Sequence, residues 1–254
     1  MGFFGKLFEK KVCAFCGKEI GLLGNRKLED GNMCKECAQR LSPWFLERRT
    51  STVAEIAAQL KYREDNQEKV KNFHPTRTFG EDMKIIFDED AKQFIVSDER
   101  DFVKANADVL DYDEVIGCVL DVEEDCYEIM KEDKDGNDVS YQPKRYMKQF
   151  DFYITIQVNH PYFDEMHFKL NNETVEYEEK ENVLNGLMNG LMGNQHRKVQ
   201  HYRALQEEIK AMITQAREDV RAAKQPKQSV ICSCCGATTI PDENGCCEYC
   251  GGKA

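Results

Sequence analysis

The chain has 254 residues, of which 41% are hydrophobic and 32% are charged, and its formal net charge at pH 7 is −11. This length and composition predict one domain of medium size with small satellite modules and a heavily solvated surface. No stretch approaches the roughly 20 apolar residues of a membrane span, and the opening segment is too short for a secretory signal. We therefore expect a cytoplasmic protein.

The charge is unevenly distributed along the chain. Residues 1–80 hold 15 basic and 10 acidic side chains, whereas residues 81–139 hold 6 basic and 21 acidic ones. The acidic middle would repel nucleic acid, and the front third is basic enough to contact an anionic surface. Most of these charges are nevertheless expected to lie on solvated faces.

Residues 1–10 form an amphipathic lead segment that is rich in phenylalanine. Its apolar side chains are interleaved with Lys6 and Lys10, which allows shallow contact with a membrane surface. Packing of this segment on the module that follows it is the alternative.

Residues 11–48 carry two Cys-x-x-Cys pairs, Cys13/Cys16 and Cys34/Cys37. A glycine follows the first pair and predicts a tight knuckle turn, the glycine-rich stretch 20–33 predicts a hairpin, and the second pair opens a short helix over 35–41. This order of knuckle, hairpin and helix is a treble-clef-like arrangement. Four thiolates brought together in this way bind zinc, so the sequence predicts one Zn²⁺ in this front module.

Residues 49–78 are predicted to be a helix and a linker. Thr52 and Glu55 form a capping-box pattern, and apolar side chains at helical spacing follow it to about residue 66. His74 and Pro75 break any continuation of this helix.

Residues 79–224 are predicted to be a mainly antiparallel β domain with helices at its carboxyl end. The predicted strands lie at 83–87, 93–97, 115–122, 127–131, 150–158 and 165–170. The turn signal at 135–137 predicts a hairpin. After residue 180 the apolar period becomes helical, with an interruption at 193–194 and a long second helix over about 195–224.

Residues 225–229 are a predicted linker, and residues 230–254 are a second cysteine module. Two Cys-x-x-Cys-Gly knuckles, Cys232/Cys235 and Cys247/Cys250, are separated by eleven residues and define a zinc ribbon. Cys234 and Cys246 adjoin the chosen ligands, but the chosen set keeps the two-residue gap and places a glycine after each pair. A ribbon of this size is too small for a useful core, so the metal supplies its folding free energy.

The cysteine pattern favours structural zinc over disulfides and over catalysis. Paired cysteines in a reducing cytosol indicate a metal, and iron is the alternative because four thiolates suit both metals. Catalytic zinc keeps an open coordination position, which two closed four-thiolate sites do not offer, and no catalytic motif occurs. We therefore expect two Zn²⁺ ions and no enzymatic activity. Cys118 and Cys126 are interpreted as buried small hydrophobic residues.

The motifs Cys13-Ala-Phe-Cys16-Gly-Lys, Cys34-Lys-Glu-Cys37 and Leu41-Ser-Pro-Trp-Phe resemble the opening of a bacterial family of uncharacterised proteins that begin with a four-cysteine zinc module. The resemblance covers residues 12–62 and extends to 86–90, to 159–165 and into the tail ribbon. It implies zinc binding and bacterial origin.

The middle of the chain resembles a bacterial pleckstrin-homology-like domain. The resemblance lies in an opening hairpin around Asp88, the stretch 110–117 that leads into a strand, the paired strands and the closing helix. It implies a binding platform, often one near a membrane. The full expectation is an α+β protein with a treble-clef-like front module, a pleckstrin-homology-like β domain, a long helix and a tail ribbon.

Two functional hypotheses follow from these features. The first is a non-catalytic adaptor that binds a protein partner, peripheral to the membrane if the lead segment contacts it, with no small-molecule substrate. The second is nucleic-acid binding through the basic front module, at Lys35, Arg40, Arg48 and Arg49. The run of apolar side chains at 44–46 is interpreted as packing the module against its neighbour rather than stacking on a base. The sequence leaves the oligomeric state open.

Overall fold

The computed structural model describes residues 11–21, 23–180, 193–224, 229–242 and 244–253. The chain divides after Ala216 into two compact units. The larger unit contains the front cysteine module, two antiparallel sheets and most of a long helix, and the smaller unit contains the rear cysteine module. The lead segment 1–10 and most of the predicted linker 225–229 lie outside the described residues.

Short hairpins build the front module. Strand β1 (Lys11–Val12) pairs with β2 (Glu19–Ile20), and β3 (Asn25–Lys27) pairs with β4 (Asn32–Cys34), which leads directly into helix α1 (Lys35–Ala38). The apolar core of the module is shared with the next helix. The buried side chains of this core, besides cysteines, are Leu28, Met33, Leu41, Ile56 and Leu60.

Helix α2 (Val53–Lys71) begins where the sequence predicts. The Thr52 side chain accepts a hydrogen bond from the Glu55 backbone N–H, and the Glu55 carboxylate accepts one from the Thr52 N–H, which confirms the capping box. The helix runs five residues beyond the predicted end at residue 66. The last turns look polar in sequence, but Asn66 and Val70 are buried against the rest of the unit.

The first sheet is a four-stranded antiparallel meander. Its order follows the chain through β5 (Arg77–Phe79), β6 (Lys84–Asp88), β7 (Gln93–Ser97) and β8 (Leu110–Asp111). The central strands β6 and β7 are confirmed predictions, and their apolar side chains are almost all buried. Strands β5 and β8 were not predicted because each has only two or three paired residues.

The second sheet is organised around one long central strand, β12 (Arg145–Val158). Strand β9 (Val115–Glu128) pairs along one side of β12, and β13 (Glu165–Lys169) and β14 (Val175–Lys180) pair in succession along the other. The prediction of two separate strands at 115–122 and 127–131 was wrong, and β14 was not predicted. A short hairpin, β10 (Met130–Glu132) with β11 (Asp138–Ser140), turns at Gly136 as the sequence predicts.

Charge pairing across the second sheet explains these longer strands. Lys148 of β12 lies between Glu124 of β9, at 3.9 Å, and Glu179 of β14, at 3.1 Å. Arg145 pairs with Glu178 in the same way. Acidic runs that look like solvated loops therefore extend into strands in which basic side chains of β12 form diagonal ion pairs with them.

The described part of helix α3 is Gly193–Lys224, which agrees with the predicted long helix over about 195–224. The helical stretch predicted between residues 181 and 192 lies outside the described residues. The ring of Tyr202 stacks on Phe152 with the centroids 5.3 Å apart, and its hydroxyl donates to a carboxylate oxygen of Glu81 at 2.7 Å. The buried Gln206 amide donates to the carbonyl oxygens of Asp121 and Tyr153 at 2.9 and 2.8 Å. These contacts fix the helix across β9 and β12.

A buried ion pair joins the front module to the first sheet. Arg63 of α2 donates to Asp108 at 2.5 Å, and their side chains are 6% and 0% exposed. The same carboxylate accepts from the Ser42 hydroxyl at 2.7 Å and from the Tyr62 hydroxyl at 3.1 Å. Asn66 adds a bond to the carbonyl oxygen of Ala107 at 2.8 Å. The module and the sheet are therefore one structural unit.

The smaller unit contains β15 (Val230–Ile231) paired with β16 (Thr238–Thr239), and a bridge joins Cys246 to Lys253. Its buried side chains, among the described residues, are Cys232, Thr239 and Cys247. Across the described parts of both units, no helix combines the length and the apolar character needed to cross a membrane.

Candidate metal centres

The front cluster brings four predicted ligands together. The sulfur atoms of Cys13, Cys16, Cys34 and Cys37 all lie within 4.8 Å of one another, and those of Cys16 and Cys34 are 3.7 Å apart. A disulfide requires about 2.05 Å between sulfurs, whereas a zinc tetrahedron with Zn–S distances of about 2.3 Å places its sulfurs about 3.8 Å apart. The cluster could therefore hold one metal ion, and its spacing is that of tetrahedral thiolates.

A knuckle turn presents the first pair of the front cluster. The Cys13 N–H donates to the carbonyl oxygen of Lys18 at 2.9 Å, and the Gly17 N–H donates to the carbonyl oxygen of Cys13 at 3.0 Å. Gly17 has a φ of 69°, a conformation that side chains other than glycine rarely adopt. The glycine after the second cysteine is thus required by the turn.

The second pair of the front cluster is presented by a helix start. Cys34 is the N-cap of α1, and its sulfur accepts the Cys37 N–H at 3.4 Å. The Cys34 N–H in turn donates to the Cys13 sulfur at 3.3 Å. The knuckle and the helix are therefore linked by backbone-to-sulfur bonds, in the predicted order of knuckle, hairpin and helix.

The thiols of the front cluster ionise unequally. Burial opposes ionisation of Cys13, but N–H groups of Cys34, Cys16 and Phe15 lower its pKa to about 6. Burial and bonds to the neighbouring sulfurs raise the pKa of Cys37. Cys13 therefore ionises readily, whereas Cys37 resists ionisation. A bound cation would compensate the negative charges and allow all four cysteines to be thiolates.

The rear cluster has the same spacing of sulfurs. The sulfur atoms of Cys232, Cys235, Cys247 and Cys250 lie within 4.8 Å of one another, a second group that could hold a metal ion. Two of the distances, from Cys232 to Cys250 and from Cys235 to Cys247, are both 3.7 Å. This geometry again matches a tetrahedron of thiolates rather than a disulfide.

Two knuckle turns of one kind build the rear cluster. The Gly236 N–H donates to the Cys232 carbonyl oxygen at 2.9 Å, and the Gly251 N–H donates to that of Cys247 at 2.8 Å. Both glycines have positive φ, 73° and 69°. Desolvation opposes ionisation of Cys247, but N–H groups of Cys250 and Tyr249 lower its pKa to about 6. The rear module therefore differs from the front one, in which a helix presents the second pair.

The other cysteines stand apart from these clusters. Cys234 is exposed and Cys246 is half-buried, and the sulfur of neither belongs to the rear group, so the structure favours the ligand set with the two-residue gap. Cys118 is half-buried and Cys126 is exposed. The prediction that the last two are buried was wrong for Cys126, which lies on an exposed stretch of β9, and Cys118 is only partly buried.

Sequence reasoning missed the side chains that surround the front module. Asp108 was counted as part of a solvated acidic region, yet it is fully buried beside Arg63. Tyr62 and His160, almost one hundred residues apart, have ring centroids separated by 4.8 Å. No local signal could have joined these positions, because the contact depends on how the module packs on the sheets.

Comparison with known proteins identifies one similarity. Residues 11–59 match the model of a family described as a domain of unknown function (DUF4428). The matched region contains the front four-cysteine cluster and the first turns of α2. No curated protein and no solved structure matches the chain.

Proposed function

We propose that this protein is a non-catalytic adaptor whose two zinc modules hold protein-binding surfaces in place. The observation that carries the proposal is the pair of closed clusters, each offering four thiolates at tetrahedral spacing. A metal surrounded by four thiolates has no position left for water or substrate. Zinc at these sites would therefore act on structure, and the function would lie on the surfaces that the modules support.

The burial of the Arg63–Asp108 pair supports a fixed surface rather than a free finger. The front module shares its apolar core with α2 and is tied through Asp108 to the segment before β8. A partner that contacts the module would therefore also contact the neighbouring sheet region. Bacterial origin, a pleckstrin-homology-like β domain and contact with a membrane-associated assembly remain expectations from the resemblances, and a cytoplasmic location remains an expectation from the sequence.

A pull-down of the tagged full chain tests the adaptor function. Extracts of the source cells are treated with nuclease, separated into membrane and soluble fractions, and analysed by quantitative mass spectrometry. We expect one protein partner at near-stoichiometric yield, and the fraction that contains it reports on the membrane. Recovery of no partner, or a measured turnover that a single carboxylate change in the β region abolishes, would contradict the proposal.

Nucleic-acid binding is the second candidate, and a cluster of arginines favours it. Burial lowers the pKa of Arg48, and the positive charges of Arg26 and Arg49 lower it further. Arg48 also donates to the Lys27 carbonyl oxygen at 2.8 Å. The predicted contact Arg40 is instead paired with Glu64 at 3.1 Å. The basic surface therefore lies at residues 26–27 and 48–49.

The salt dependence of binding to duplex DNA tests this candidate. If the arginine cluster contacts phosphates, the double change Arg26→Gln and Arg49→Gln should reduce the slope of log K against log salt by about two. Arg40→Gln is the matched control and should leave the slope unchanged. Binding that is absent, or a salt slope that the double variant and the control share with the unchanged chain, would exclude this surface.

A further inference from the structure

A cavity of about 390 Å³ lies where the front module meets the turn before β13. Both segments belong to the larger unit. The front module contributes residues 44–47, the turn contributes residues 160–164, and β13 contributes its first residue, Glu165. The lining side chains that matter here are Trp44, Phe45, Leu46, His160, Tyr162 and Phe163.

Aromatic rings form the walls of this cavity, which we call the aromatic cavity. The rings of Phe45 and Tyr162 meet edge to face with the centroids 6.4 Å apart, and His160 lies 4.1 Å from Phe163. The ring of Tyr62 packs against two of these rings, with centroid distances of 4.8 Å to His160 and 5.2 Å to Tyr162. These contacts hold the rings in place before any ligand arrives, so binding need not order them.

The charged groups of the cavity are all acidic. Glu47, Asp164 and Glu165 line it and are exposed, and within the described residues none of the three forms an ion pair. Burial lowers the pKa of His160 to about 4, so the imidazole is neutral at pH 7. No lysine or arginine is among the lining residues. The cavity therefore combines aromatic faces with unpaired negative charge.

We propose that the aromatic cavity binds the cationic side chain of an arginine or lysine in a basic segment of a protein partner. Aromatic faces attract a cation within about 6 Å of the ring centroid, and the three carboxylates add attraction that an anionic or neutral ligand would not receive. This inference rests on the proposed adaptor function and names the chemistry of its partner.

The rim of the cavity favours a side chain of a peptide over a small free cation. Leu46 is 87% exposed, and Pro161 is exposed beside it. Arginine and lysine carry apolar stems that pack on such surfaces while the charged head occupies a polar or aromatic site.

Tryptophan fluorescence tests this proposal directly, because Trp44 is the only tryptophan of the chain. The zinc-loaded full chain is titrated with an acetylated, amidated peptide of alternating glycine and arginine, and with matched peptides that carry glutamine or glutamate instead. We expect a saturable change in emission with the arginine peptide alone. An equal response to the three peptides would overturn the proposal.

Variants of the exposed carboxylates provide the second arm of the test. The triple change Glu47→Gln, Asp164→Asn and Glu165→Gln should weaken binding of the arginine peptide by about tenfold or more. Glu208→Gln, an exposed change on α3, is the matched control and should bind as the unchanged chain does. Unchanged affinity of the triple variant would show that the cavity does not select the cation.

The same variants separate this inference from the adaptor function. If the triple variant loses the partner recovered by the pull-down, the cavity is the binding site. If it keeps that partner at full yield, the adaptor function stands and the cavity proposal is wrong. Titration with tetramethylammonium, again followed by Trp44 fluorescence, adds a small cation as a probe. If the triple variant loses its fluorescence response both to this cation and to the arginine peptide, the same rings recognise the cation.

Discussion

Replacing Asp108 by asparagine should strongly destabilise the larger unit. The substitution keeps the size of the side chain but removes the charge that compensates Arg63. The two side chains are 0% and 6% exposed, so the guanidinium would remain in a buried position without its counter-ion. Breaking a buried pair by removing one partner typically costs about 3–5 kcal/mol.

The contacts around Asp108 support the upper part of that range. Besides Arg63, its carboxylate accepts hydrogen bonds from the hydroxyls of Ser42 and Tyr62 at 2.7 and 3.1 Å. Asparagine can accept through only one oxygen, so at least one of these donors would lose its partner, at a further cost of about 1–3 kcal/mol if it stays dry. We therefore expect a loss of about 4 kcal/mol or more in the free energy of unfolding.

Urea unfolding of the zinc-saturated chain, followed by Trp44 fluorescence, measures this loss. The backbone N–H of Trp44 donates to Ser42 Oγ at 3.1 Å, so its emission reports on the same region. Asp65→Asn is the matched control, because Asp65 belongs to an exposed pair with Lys61 on the same helix, with side chains 65% and 67% exposed. Exposed pairs contribute little. If the two variants unfold at the same urea concentration, the buried pair does not stabilise the unit as argued.

Three further predictions concern the metal sites, the cavity and the long helix. Cys16→Ser and Cys250→Ser should each reduce bound zinc from two ions to one per chain, and Cys126→Ser should leave two, as measured by elemental analysis. The pKa of His160 is about 4 in the folded chain, below its ordinary 6.5. The unfolded chain therefore binds more protons between pH 4 and 6.5, and the free energy of unfolding falls as pH falls through this window. His160→Gln should flatten this part of the profile of urea midpoint against pH. Gln206→Leu removes the amide that donates to the part-buried carbonyl oxygens of Asp121 and Tyr153 and should cost about 1–2 kcal/mol, measured by the same unfolding assay.

The local geometry of the cysteine modules was predictable because it depends on a few adjacent residues. The glycines at 17, 236 and 251 each take a positive φ directly after a cysteine pair, as the Cys-x-x-Cys-Gly pattern indicates. The capping box at Thr52 is local in the same sense, since its bonds join residues three apart. Whether these clusters bind zinc stays a prediction.

The sheets were less predictable because their bounds depend on distant partners. Strand β14 is mostly charged and has only Val175 and Tyr177 at alternating apolar positions. It pairs with β12, where Tyr177 stacks on Phe150 and where Arg145 and Lys148 form diagonal ion pairs with glutamates of β14. The middle of β9 extends for the same reason. The period of apolar residues identifies a strand with one buried face, and it misses a strand whose pairing relies on charge.

A bound metal would contribute differently to the front and rear modules, although both present four cysteine sulfurs. The rear unit buries two cysteines and a threonine among its described residues, so a metal bound there would take the place of an apolar core. The front module has an apolar cluster around Leu28, Met33 and Ile56 and a buried ion pair beside it. Zinc in the front module would hold the knuckle turn and α1 together and thereby position residues 44–47, which follow α1. Because those residues form one wall of the aromatic cavity, loss of the front metal should impair partner binding before it unfolds the unit.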